Sequence, residues 1–177
     1  SASLVDSLTD VSLVGMSDIF TPGTGAPAEQ ANQYTDQLNE AGVPPEMHSW
    51  LSANGVGPLV VKMGIKFSEM SAERLVATMP VAGNEQVAGI LHGGAHLVLA
   101  ETLGSFGAAL HAGPGRQALG IEIGATHHRA IASGTVTGTA TAVHLGGTLV
   151  THEVVMTDEE GRRLSTARIT NMIRDAR

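Results

Sequence analysis

Cysteine is absent from this 177-residue chain. That excludes disulfides, a Cys-ligated metal and a Cys nucleophile, and it suits a reducing compartment, so a cytoplasmic location is expected. Aromatic residues make up only 3%, so packing must rely on Val, Ile, Leu, Ala and Met. No apolar run approaches the roughly 20 residues of a membrane span, and no membrane partner is expected. The first residues lack a basic stretch followed by an apolar one, so no secretory leader is expected. Lys and Arg are missing from residues 1–61, which hold seven acids: Asp6, Asp10, Asp18, Glu29, Asp36, Glu40 and Glu46. Acids and bases cancel in the remainder, so the leading segment carries the whole net charge of −7. No basic face is visible for nucleic acid. There is no internal repeat. Gly113-Pro114-Gly115 is not a dinucleotide fingerprint, because no helix follows it.

What is present centres on Gln86 to Ser105, QVAGILHGGAHLVLAETLGS. Gly93 and Gly94 sit where a helix should begin, and Ala95 to Leu110 are nearly all small or apolar. A helix that opens on glycines presents free N–H groups and the positive end of its dipole, which can hold a developing oxyanion. The one carboxylate in this helix, Glu101, bears a desolvation cost and so needs a reason to be there. Taken alone, the glycines are also compatible with a tight turn and Glu101 with a structural role. His92 and His96 share a helix face at i,i+4 spacing. Gly93 stands where a zinc-binding H-E-x-x-H motif needs its Glu, so no metal is expected.

The rest of the pattern predicts α+β architecture. Residues 1–27 read as a loosely ordered arm. Ala28 to Ala41 reads as a helix, and Pro44-Pro45 opens a second, short one to about Ala53. Leu59 to Ser68 and Glu73 to Met79 read as a hairpin. The central helix runs from Gly93 to about His111. Four strands follow: Ala118 to Thr126, Gly134 to His144, Thr148 to Thr157 and Arg162 to Ile173. The second alternates Thr135, Thr137, Thr139 and Thr141 with Val136, Gly138, Ala140 and Ala142, a clean period of two. One long helix with several antiparallel strands means a sheet wrapped on a helix. Gly104, Gly107, Ala108 and Ala109 make that helix thin enough for close approach. The expected division is an acidic N-terminal arm over 1–57, with one or two short helices, and the main domain over 58–177. His48 and His152 are read as structural, and Arg162, Arg163 and Arg174 as solvated charges.

At Gln86, Gly89, His92-Gly93-Gly94-Ala95 and Leu99-Ala100-Glu101, with Ser105 one turn on, the chain resembles the hotdog-fold acyl-CoA thioesterases. The branch is that of 4-hydroxybenzoyl-CoA thioesterase (Arthrobacter type) and the phenylacetate-pathway enzymes. The match runs from about Met63 to Arg174. The resemblance implies a hotdog fold, hydrolysis of an acyl- or aryl-CoA thioester, and sites shared between two subunits, often in a dimer of dimers (a homotetramer). No separate cofactor is implied, since CoA is part of the substrate. It also implies a CoA-phosphate contact at Arg129, beside His128, and further contacts at Gly147, Thr148 and Gly94. A hotdog hydratase would carry D-x-N-x-x-H on its helix, which is absent. A non-catalytic acyl-CoA-binding module remains the alternative.

The chemistry follows from the groups. The Gly93 N–H is a fitting oxyanion donor, and Gln86 can supply a second contact or orient the thioester. Glu101 can act as nucleophile or as general base on water. Ser105 can hold that water, and His92 orients the substrate or the surroundings of Glu101. Val98, Leu97, Thr102 and Phe106 are the expected acyl lining. Glu101 lies eight residues beyond Gly93, a rise of ~12 Å with directions about 80° apart. Reacting groups must converge within about 3–3.5 Å of one atom. A site pairing Gly93 of one subunit with Glu101 of another is therefore preferred.

Overall fold

Alternation of apolar and polar residues builds the sheet. The computed structural model describes residues 34–52 and 54–176, so the expected arm over 1–27 and the first six residues of the helix expected over 28–41 lie outside the described residues. Six antiparallel strands form one sheet in the order β1-β2-β4-β5-β6-β3: β1 Lys66–Met70, β2 Arg74–Pro80, β3 Arg116–His127, β4 Thr135–Leu145, β5 Leu149–Thr157 and β6 Arg163–Asp175. On β2, Leu75, Ala77 and Met79 point inward; on β4, Val136, Gly138 and Ala140 do so. The threonines between them face outward, as a period of two requires.

The inward face closes on one helix of 20 residues, α4, Gly93–Ala112. Leu99, Ala100 and Leu103 are fully buried there. The close approach expected from the small residues is present. A Cβ on Gly104 would lie 2.1 Å from Ile169 Cγ2, and one on Gly107 would lie 2.7 Å from His152 Nε2. His152 is itself fully buried, with Nε2 2.8 Å from the Ala72 carbonyl. An antiparallel sheet wrapped on one long helix is the hotdog arrangement.

Among the described residues, three short helices lie ahead of the sheet: α1 Thr35–Glu40, α2 His48–Leu51 and α3 Pro58–Lys62, with a 3₁₀ turn at Pro45–Met47. They join the main core through Leu38, Leu51 and Val60. His48 Nε2 lies 2.9 Å from the Val43 carbonyl. Phe106, an expected lining residue, instead packs edge-on against Phe67 and Trp50 inside the core. The expected strand over 59–68 is corrected: Leu59 to Lys62 is helical, and only Lys66 onward is strand. Gly57, at φ 90°, turns the chain into Pro58 at the first helical position, and Gly64, at φ 68°, ends the turn. Val60 is buried between exposed Leu59 and Val61, so a single helical turn mimics strand alternation over three residues.

Candidate active site

The loop before α4 is pinned before the helix begins. Asn84 Nδ2 donates to the carbonyls of Met63 and Pro80, and the Asn84 carbonyl accepts from the His92 N–H at 2.9 Å. The Gln86 carbonyl accepts from the N–H of Gly89, which lies at φ 70°, and the Gln86 N–H donates to Ile90 at 2.8 Å. Leu91 donates to the Ile131 carbonyl. These bonds deliver His92 as the N-cap of α4. Its Nδ1 accepts the Gly94 N–H at 2.8 Å, a side-chain cap made by a ring. His92 thus holds the helix start, and the Gly94 N–H is occupied by it. The Gly93 N–H makes no backbone bond among the described residues.

Beside Gly93 opens a cavity of about 430 Å³, lined among others by Gln86, His96, His127, His128, Arg129 and Ile131. The far end of β3 supplies its polar wall. His128 and Arg129 are anchored there by both backbone N–H groups, which donate to the Leu164 carbonyl at 2.8 and 3.1 Å. His128 Nε2 lies 3.0 Å from Thr166 Oγ1. Arg129 is exposed and takes part in no ion pair among the described residues. His96 is 4% exposed. Burial, and secondarily the neighbouring His127, lowers its pKa to about 4, so its ring is neutral at ordinary pH. On the other flank of the helix start lies an apolar groove of about 400 Å³, with Met63, Ala95 and Val98 in its wall. Gly93 and Gly94 form the saddle between the two.

Two turns along α4, Glu101 is half-buried and points at the edge strand. Ser105 Oγ donates to its Oε1 at 3.3 Å. Gly120 on β3 makes room for it: a Cβ there would lie 2.7 Å from Glu101 Oε1. The pairing of β3 with β6 is interrupted at that point, with Gly120 opposite Asn171, Glu122 opposite Thr170 and Ile121 bulged out. Asn171 is fully buried, and its Oδ1 has no partner among the described residues. Glu101 is absent from the lining of the Gly93 cavity.

The expected site residues therefore fall into three places. Gln86, Gly93, His128 and Arg129 share the cavity. Glu101 and Ser105 form a second place against β3. Gly147 and Thr148 lie beyond the C-terminal end of α4, where the Gly147 carbonyl accepts from Arg116 and the Gly146 carbonyl lies 3.0 Å from His111 Nε2. That turn lies toward the C-terminal end of α4, and Arg129 toward its start. Sequence reasoning passed over His127 and Gly120. A run of His-His-Arg at a strand end was the one visible signal for the first. Nothing local signals the second, because its partner lies on a different element.

The family model of the thioesterase superfamily matches residues 88–165. Proofreading thioesterase EntH of Cronobacter turicensis is 43% identical over 124 residues, 70% of this chain and 90% of that protein. EntH of Klebsiella pneumoniae is 42% identical over 120 residues, 67% of this chain and 88% of that protein. Among solved structures, thioesterase HI1161 from Haemophilus influenzae superposes with a TM-score of 0.65 at 33% identity, covering 71% of this chain and 87% of that one. With this likeness, and with a hotdog fold whose helix opens on HGGA, the chain belongs to the thioesterase superfamily and is a thioester hydrolase.

Proposed function

We propose that this protein hydrolyses acyl-CoA thioesters at sites shared between two copies of the chain. The observation that carries this reading is the separation of its two chemical groups. The oxyanion donor opens into a cavity without a carboxylate, while the helix carboxylate faces the sheet edge. The thioester carbonyl would rest on the Gly93 N–H, with Gln86 beside it. The thiol arm would run past His128 toward Arg129, whose guanidinium suits phosphate. The acyl group would lie on the opposite flank, along Met63, Ala95 and Val98. Glu101 of a second copy, paired along β3, would attack the carbonyl carbon or deprotonate the attacking water, with Ser105 orienting the carboxylate. Edge strands invite such pairing.

The test is complementation. Glu101→Gln and Gly93→Pro should each be nearly inactive by thiol release; Pro is tolerated in a first helical turn. In a mixed dimer one site receives both defects and the other neither. With random exchange, half of the dimers are mixed, so about a quarter of wild-type sites should return, because reacting groups again converge. No recovery, with mixed dimers seen by native mass spectrometry, would place each site within one chain. Retained turnover in Glu101→Gln would remove the carboxylate from the mechanism, and acyl-CoA binding by the wild type without thiol release would indicate a binding module.

A further inference from the structure

The hydrogen bonds around His127 assign its protons. Ser165 Oγ donates to the Thr126 carbonyl at 3.1 Å and lies 3.1 Å from His127 Nδ1. A hydroxyl has one proton. With that proton on the carbonyl, the serine oxygen can only accept from the ring. Nδ1 therefore carries the hydrogen, and Nε2 is the nitrogen left to accept. Nε2 is also the atom turned toward the helix start: a Cβ on Gly93 would lie 3.0 Å from it. Only glycine at 93 leaves this approach comfortable.

No carboxylate of the described residues lines the cavity. The His96 ring lies 5.2 Å from the His127 ring, tilted by 35°. The same wall holds a ring nitrogen, His96 Nδ1, that is buried without a partner among the described residues. A buried polar atom without a partner points to a ligand or water that supplies one.

The donor follows from which part of the substrate passes here. Arg129 stands on this flank, and the opposite flank is the apolar groove, so this cavity takes the thiol arm. In CoA, the amide nearest the sulfur offers an N–H two methylenes from the thioester. We propose that His127 is a substrate-positioning residue whose Nε2 accepts that amide N–H, setting the thioester carbonyl on the Gly93 N–H. The inference rests on the acyl-CoA reading above.

The test compares thioesters of one acid with N-acetylcysteamine, which keeps the amide, and with a plain alkanethiol, which lacks it. Wild type should show the lower KM for the amide-bearing substrate. His127→Ala should shrink that preference about tenfold, the scale of one neutral hydrogen bond, with kcat for the amide-bearing substrate within about twofold. His127→Gln, whose Oε1 can accept, should restore part of the preference. An unchanged ratio of the two KM values, or a loss confined to kcat, would overturn the assignment while leaving the thioesterase reading intact. If wild type hydrolysed N-acetylcysteamine thioesters but no CoA thioester, the acyl-CoA reading would fail instead.

Discussion

Glycines occur at both ends of α4, and they do opposite things. At the start, Gly93 leaves space for the His127 ring, beside a cavity whose wall holds a buried ring nitrogen, His96 Nδ1, unpaired among the described residues. In the second half, Gly104 and Gly107 leave no space at all, because Ile169, His152 and Leu75 occupy it. One half of the helix is shaped by what must enter and the other by what must be kept out. Packing density in the second half sets the axis on which the first half stands. Between them, Glu101 shares both characters: it leans on the sheet through Gly120, yet keeps a partly exposed carboxylate.

The contrast breaks most sharply at Gly120. Gly120→Val places atoms where Glu101 Oε1 now lies. The clash is with the end of a flexible side chain, so the fold should survive while the carboxylate moves. Turnover should fall about a hundredfold, the usual result of displacing a reacting group by roughly 1 Å, with little change in Tm. A large fall in Tm would assign Gly120 to the packed half instead.

His96 sharpens the comparison through pH. Its pKa is about 4 in the folded chain and about 6.5 for an unperturbed imidazole. Between these values the unfolded chain binds more protons. Its contribution is therefore complete above pH 6.5 and is lost as pH falls toward 4, about 3 kcal/mol in all. Denaturant titrations at pH 7 and 4.5 should show a smaller difference for His96→Gln than for wild type. An equal difference would mean that the ring is not held neutral by its cavity wall.

Gly104→Ala should act in the other half. The added methyl meets a β-branched side chain on a central strand, so the cost should be about 1–3 kcal/mol of stability. Activity per folded molecule should be unchanged. The smallest effect is expected at Arg129→Ala: KM for acyl-CoA up about tenfold, the worth of a charge-assisted contact, with kcat steady. A thioester lacking the nucleotide should not respond. An equal response of both substrates would take Arg129 out of phosphate binding.

These positions differ in how legible they were. The central helix and four following strands were readable because each carries its own period and its own stop, such as Gly113 after α4. The HGGA turn and Glu101 were readable because local chemistry is unusual there: glycines at a helix start and a charge in an apolar run. The turn at Leu59–Lys62 misled because three residues cannot distinguish two periods. His127, Ser165 and Gly120 acquire their meaning across the sheet, from residues tens of positions away. A spacing argument along one helix cannot see them. The separation of Gly93 from Glu101 was visible for the converse reason, because helix geometry alone fixes it.

The gap at Gly120 also bears on how such a protein can change by descent. Every other amino acid carries a Cβ, and a Cβ at this point meets the carboxylate of Glu101. No single substitution at position 120 avoids that collision. A viable replacement would require Glu101 to be relocated in the same step, and relocation alone would leave the old cleft without its acid. The two positions are thus expected to drift together or not at all, while Met63 and Val98, in the groove wall, remain free to be sampled one change at a time.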